Sequence, residues 1–195
     1  AALALAISPD YGAGVMSGTG GTLLLTLLQK QNPVSVSKLL PLLLSEPSVD
    51  ENDPVLNLVQ MYFERSDAVN FGRRLFREPT QGLPARHVLH VYGTNDTYSP
   101  VETQRRYAQA AGFEVALPLV DDYPNQYDLE TVAAPITANQ SFGASTTTIT
   151  AAQIQYQPSG SDDGHFVSTL VPAARAAIQR FLTTFITDGT PTILP

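Results

Sequence analysis

The sequence predicts an α/β chain: a parallel sheet with helices on both faces. Three observations predict it. Short apolar or β-branched runs occupy residues 12–18, 87–92 and 147–157; helical periodicity fills the intervals; and glycine or polar turn residues stand where one pattern gives way to the other. Strands that alternate with helices are joined by crossovers and therefore pair in parallel. Three strands are few for such a sheet. In α/β sheets the reactive groups gather in the loops beyond the carboxyl ends of the strands.

Residues 1–7, Ala-Ala-Leu-Ala-Leu-Ala-Ile, lack an initiator Met and the basic flank of a signal peptide, and read as the tail of a helix already under way. The chain is expected to begin in mid-protein. Residues 12–18 form an apolar run between glycines, suited to a buried strand that feeds a tight turn. Residues 22–31 read as a helix. From there to residue 85 the pattern is helical and punctuated: Asp53-Pro54 offers an N-cap followed by proline, and Ser66 is placed to cap a helix over 67–76.

His87-Val88-Leu89-His90-Val91-Tyr92 is the second strand, stopped by Gly93. Ser99-Pro100-Val101-Glu102 has the capping-box pattern, and the helix it opens ends at Gly112. Residues 113–143 read as a mixed loop. Residues 147–157 are the third strand and 159–164 a polar loop. Beyond it, Leu170, Ala174, Ala177, Phe181 and Phe185 recur at helical spacing, giving an amphipathic closing helix before Gly189.

Composition narrows the function. With 195 residues, 43% of them apolar, the chain can build a real core. A net charge of -7 and only two lysines, Lys30 and Lys38, argue against a nucleic-acid surface, which needs clustered cations. A small-molecule substrate or a protein partner is expected instead. The absence of cysteine excludes disulfides, thiolate metal sites and a cysteine nucleophile. The most apolar region, 13–28, is too short and too rich in glycine to span a bilayer.

Two loops carry chemistry. Gly93-Thr94-Asn95-Asp96-Thr97-Tyr98-Ser99-Pro100 places an acid between a strand end and a helix. Aspartate at such a turn also serves simply to bind nearby amides. Asp163-Gly164-His165-Phe166 places a histidine between the last strand and the last helix, where a lone histidine is usually a solvated side chain. The pairing favours the sharper reading: an Asp and a His on neighbouring strand-end loops can touch, and the contact fixes the imidazole tautomer and stabilises its protonated form.

The segment 93–100 resembles the Gly-x-x-Asp-x-x-x-Pro acid loop of the α/β-hydrolase family, and Asp-Gly-His-Phe at 163–166 resembles its histidine loop. That family's triad runs Ser, Asp or Glu, His along the chain, so the resemblance maps the acid to Asp96 and the base to His165. It implies that 1–21 and 86–195 are the C-terminal half of the hydrolase core, with strands six to eight, and that 22–85 is a helical cap. Leu23–Leu28, Leu39–Leu44 and the apolar residues from Val55 to Phe63 would then be cap core, some of them lining an acyl pocket.

The nucleophile departs from the pattern. The elbow Gly-x-Ser-x-Gly needs small residues two before and two after the serine, and Ser17 has Val15 and Thr19 there. The resemblance places the elbow one βα unit earlier, with residues 1–7 as the helix that follows it. The expected whole is a serine hydrolase of carboxylic esters, esterase- or lipase-like, acting on a small-molecule ester without a cofactor. Its N-terminal half would lie outside this chain, which alone would be inactive. The rival is a non-catalytic hydrolase-fold binding domain.

Other signals weigh less. Residues 18–22, Gly-Thr-Gly-Gly-Thr, lack the spacing of a phosphate-binding loop. His87 and His90, three apart on a strand, point to opposite faces and share no metal; none is expected. Asn95 and Asn139 begin glycosylation triplets, a pattern common by chance.

Overall fold

The computed structural model describes residues 2–141 and 147–195, so Ala1 of the first helical segment, and Phe142 and Gly143 of the 113–143 stretch, lie outside the described residues. The central sheet contains β1 (Ala13–Ser17), β2 (His87–Gly93), β3 (Glu114–Ala116), β4 (Thr131–Val132) and, after a separate antiparallel pair, β5 (Gln140–Ser141) with β6 (Thr148–Ile149), the strand β7 (Ala151–Tyr156). Its order is β1-β2-β7-β3-β4, with every pairing parallel. The class is α/β. The sheet has two strands more than the three expected, both inside the stretch read as loop. At three and two residues, β3 and β4 are too short to show a period, and they form because β7 and each other supply the ladder, as where Val115 N–H donates to the Glu130 carbonyl.

β2 is buried on both faces, as parallel strands usually are. On one face Val88 and Tyr92 pack with Met16, Tyr107, Ala108 and Phe113 against α1 (Ala2–Ile7) and α5 (Val101–Ala111). On the other, Leu89 and Val91 pack with Ile154 of β7 and with Ala174, Ala177 and Phe181 of the closing helix. That helix is broken: α6 (Val167–Leu170) ends at Val171, held extended before Pro172, and α7 (Pro172–Asp188) runs on to Gly189.

Residues 22–85 hold α2 (Leu23–Gln29), α3 (Val36–Leu44), α4 (Pro54–Phe63) and three 3-10 turns, with no strand. Asp53 caps α4 as expected, accepting from the Val55 and Leu56 amides. Other local expectations are corrected. A continuous helix over 67–76 does not form, because Asp67, not Ser66, is the capping residue, and its carboxylate also takes the amides of Thr22 and Leu23 at 2.8 and 2.7 Å. The capping box at 99–102 does not close either: α5 starts one residue later, the Ser99 amide donates to Asp96, and Glu102 turns to Arg106 and Tyr127. The apolar runs of this helical block are buried only in part. Leu24, Leu25, Leu40 and Leu56 are buried together, whereas Leu42, Leu43, Leu58, Met61 and Tyr62 are 64–80% exposed. No helix among the described residues is long and apolar enough to cross a membrane.

His90 is a core residue. Its Nε2 donates to the Thr19 carbonyl at 3.0 Å, and Nδ1 accepts from the Gln153 amide, whose oxygen is in turn held by the Tyr123 hydroxyl. The ring stacks on Phe113. Both nitrogens are satisfied only by the neutral form, and burial pushes its pKa down to about 4, against the Thr19 bond. An unfolded histidine protonates near 6.5, so between about 6.5 and 4 the unfolded chain binds more protons than the folded one. Stability therefore falls as the pH falls through that window, by about 3 kcal/mol in all. Urea unfolding of the protein and of His90→Gln should show a weaker variant at neutral pH with a shallower acid loss. Comparing the two slopes separates His90 from Asp96 and Glu114, whose raised pKa values act in the opposite sense. Equal slopes would remove His90 as the source.

Candidate active site

β2 and β7 are neighbours in register, with Gly93 opposite Tyr156, so the loops that leave their carboxyl ends start side by side. Immediately beyond the strands the two backbones touch. A Cβ on Gly93 would lie 2.0 Å from the Gly164 carbonyl oxygen, and one on Gly164 would lie 2.0 Å from that of Thr94. Only glycine permits this approach. Asp163 then bridges the loops: it accepts from its own loop's His165 amide at 2.9 Å, and from the Thr97 amide and hydroxyl across the gap.

Asp96 is held by four groups. Its Oδ1 accepts the amides of Tyr98 and Ser99 at 2.9 and 2.7 Å; its Oδ2 accepts from Gln104 of α5 at 2.9 Å and faces Nδ1 of His165 at 3.2 Å. The carboxylate is fully buried, whereas the His165 side chain is 32% exposed. Burial raises the Asp96 pKa above the ordinary carboxylate value, opposed by the Ser99 amide, the charge of His165 and the remaining bonds. Because Nδ1 faces an acceptor, it carries the proton, and Nε2 is left as the basic nitrogen. Tyr98 stacks on the imidazole with centroids 4.9 Å apart, and Phe166 stands edge-on at 5.2 Å.

The end of β1 enters the same space. Gly18 has φ +57°, and a Cβ there would sit 3.0 Å from His165 Nδ1 and 3.2 Å from Asp96 Oδ2. The two residues singled out by sequence, Asp96 and His165, are thus brought together. Gly18, Asp163, Gln104 and Tyr98 belong to the site as well, and sequence reasoning did not assign them to it. Asp163 and Gly18 stand in or beside segments with recognisable turn chemistry, but Gln104 is an ordinary helical glutamine with no signal in the sequence.

Other candidates resolve into structure. The amides at the start of α2, where a phosphate would need to bind, are taken by Asp67 and Gln60. Burial pushes the Asp67 carboxyl up, but the Gln60 side-chain amide and the amides of Leu23, Thr22 and Val69 together hold it below its usual pKa. Gly20 and Gly21 are packing glycines, pressed on Thr103 and Val69. His87 Nδ1 accepts from the Thr150 amide at 2.9 Å, and the Asn139 side chain bonds Ala151 at both its oxygen and its nitrogen. No metal-holding cluster occurs among the described residues. A cleft of about 870 Å³ opens between segment 28–38 and the acid loop, with a largely polar wall including Gln31, Asn32, Ser37 and Lys38. The exposed apolar residues of α3 and α4 do not line it.

Gly18→Ala should have two effects. A side chain in left-handed backbone costs about 1–2 kcal/mol, to be read from urea unfolding, and its methyl group should drive His165 and Asp96 beyond hydrogen-bond distance in a crystal structure of the variant. An unchanged pair would show that the loops yield more easily than their backbone contacts imply. Compared with known proteins, the chain matches no family model, no curated protein and no solved structure.

Proposed function

We propose that this chain carries the acid and base of a serine hydrolase that cleaves carboxylic esters, built on the C-terminal part of an α/β-hydrolase fold with residues 22–85 as its helical cap. The observation that carries the proposal is the 3.2 Å contact between His165 Nδ1 and the buried Asp96, which leaves Nε2 free to accept a proton. In the reaction, Nε2 takes the proton of a serine hydroxyl as the serine oxygen attacks the ester carbonyl. The imidazolium, oriented and charge-balanced by Asp96, passes that proton to the leaving alkoxide. Water, activated at the same nitrogen, then releases the acyl group. No cofactor takes part.

The serine belongs to a strand outside this chain. Supporting this, β1 ends the strand order and its outer edge is unpaired among the described residues, while its last turn, at Gly18, touches the acid-base pair. A parallel strand added there would deliver its carboxyl-end loop beside His165. Ser17 is a poor alternative: its flanking residues do not suit an elbow, and its hydroxyl is buried without a hydrogen-bond partner.

In the full-length protein, His165→Ala and Asp96→Asn should each lower turnover of a p-nitrophenyl ester by about ten-thousand-fold, with circular dichroism unchanged, and a fluorophosphonate should label one upstream serine. Near-normal turnover of either variant would remove that residue from the mechanism. Failure of the full-length protein to label or to turn over any ester would favour a binding domain on the same fold.

A further inference from the structure

The Thr97 hydroxyl sits where three separated segments meet. It donates to the Asp163 carboxylate and accepts from the Asn32 side-chain amide at 2.8 Å. The Thr97 carbonyl takes the amides of Gln31 and Asn32 at 3.0 and 3.1 Å, and Lys30 Nζ donates to the next carbonyl, that of Tyr98, at 2.6 Å. Asp163 in turn binds the His165 amide. A continuous path of hydrogen bonds thus runs from the exit of α2, in the helical block, through one hydroxyl to the backbone of the candidate base.

We infer that Thr97 and Asp163 are positioning residues for His165, and that the seating of segment 30–32 on the acid loop sets how firmly His165 is held against Asp96. Covalent neighbours alone do not fix that distance. The acid and histidine loops are 69 residues apart in sequence; beyond the strand ends they are tied by the glycine contact, the Gly164 amide on the Asn95 carbonyl, the Tyr98 ring against His165 and Phe166, and this bridge of charged and hydroxyl groups. Breaking the bridge leaves the sheet untouched but removes the carboxylate anchor of the His165 amide and leaves the histidine loop held by its Gly164 backbone and ring contacts alone. The catalytic meaning of this coupling rests on the hydrolase reading; the coupling itself can be measured without substrate.

The three histidines make the measurement clean. His87 and His90 each accept a hydrogen bond at Nδ1, so both carry their proton on Nε2, and only His165 has an Nδ1–H. In protein with nitrogen-labelled histidine, that proton gives a distinct downfield resonance, assigned by its loss in His165→Ala. Thr97→Val keeps the shape and removes the hydroxyl. It should speed solvent exchange of the Nδ1 proton at least tenfold or abolish the resonance, Asp163→Asn should do likewise, and Thr97→Ser should restore the wild-type rate. Thr184→Val, which removes a helix hydroxyl bonded to Arg180 and Thr192, should leave exchange unchanged, separating positioning from general loss of stability. If Thr97→Val folds and exchange stays within twofold of wild type, the inference is overturned. Should Thr97→Val fail to fold, Asn32→Ala decides: it removes one exposed amide from the same hydroxyl, and an unchanged rate there overturns the coupling. None of these readings depends on ester turnover, so the hydrolase proposal can fail while the positioning role stands, and the reverse.

Discussion

Between the Gly93 and Gly164 backbones there is no room for a methyl group, and the rest of the site depends on that contact. Neighbouring strands are about 4.8 Å apart, but loops leaving them are free to diverge. Here main chain meets main chain as soon as the strands end. The approach brings Asp163 to Thr97, and Thr97 fixes the turn in which Asp96 receives its amides. The sheet order therefore determines the pair indirectly: β2 beside β7, two glycines where the strands stop, then a carboxylate across the gap.

Most of the precision at the site comes from backbone groups and short side chains rather than from long, mobile ones. Asp96 is bound by two amides, Asp163 by two more, and Gly18 fills the remaining space with its own main chain. Such an arrangement loses little rotamer entropy when the site is used, which is the physical content of preorganisation. Part of the helical block obeys the opposite rule. In α3 and α4, apolar side chains with many rotamers stand in solvent, and only Leu40 and Leu56 are buried, against Leu24 and Leu25 of α2.

Legibility in the sequence depends on length and period. β2 has seven residues with burial on both faces, and β7 six, long enough for composition to mark them. β3 and β4 were not legible, because their strand character is conferred by β7 and by each other rather than by any pattern of their own. Asp96 and His165 were legible as a pair of loop residues behind two recognisable strands. Gln104 and Thr97 were not, since an amide and a hydroxyl are ordinary anywhere and acquire meaning only from partners distant in sequence. The misread caps at 66 and 99 both involve a nearby aspartate: Asp67 takes the Val69 amide that the local pattern assigned to Ser66, and Asp96 takes the Ser99 amide that a capping box assigns to Glu102.

The blander reading of Asp96 as a turn-organising residue and the sharper one as a partner of His165 need not compete, because the two carboxylate oxygens divide the work. Oδ1 takes the Tyr98 and Ser99 amides, all that an Asx-type turn requires. Were that its whole role, Oδ2 would be cheapest in water. Instead Oδ2 is buried, with Gln104 and His165 as its partners. Burying a carboxylate oxygen is unfavourable unless its partners replace the lost water, and one neutral amide replaces only part of it. A proton on Nδ1 of His165 completes the set. The same bond grows stronger when the imidazole gains a second proton at Nε2, since the carboxylate then faces a cation. The fold thus fixes the tautomer and orientation of His165 through a buried carboxylate whose other oxygen is already committed to the turn, which is the geometry that the proposed reaction would require.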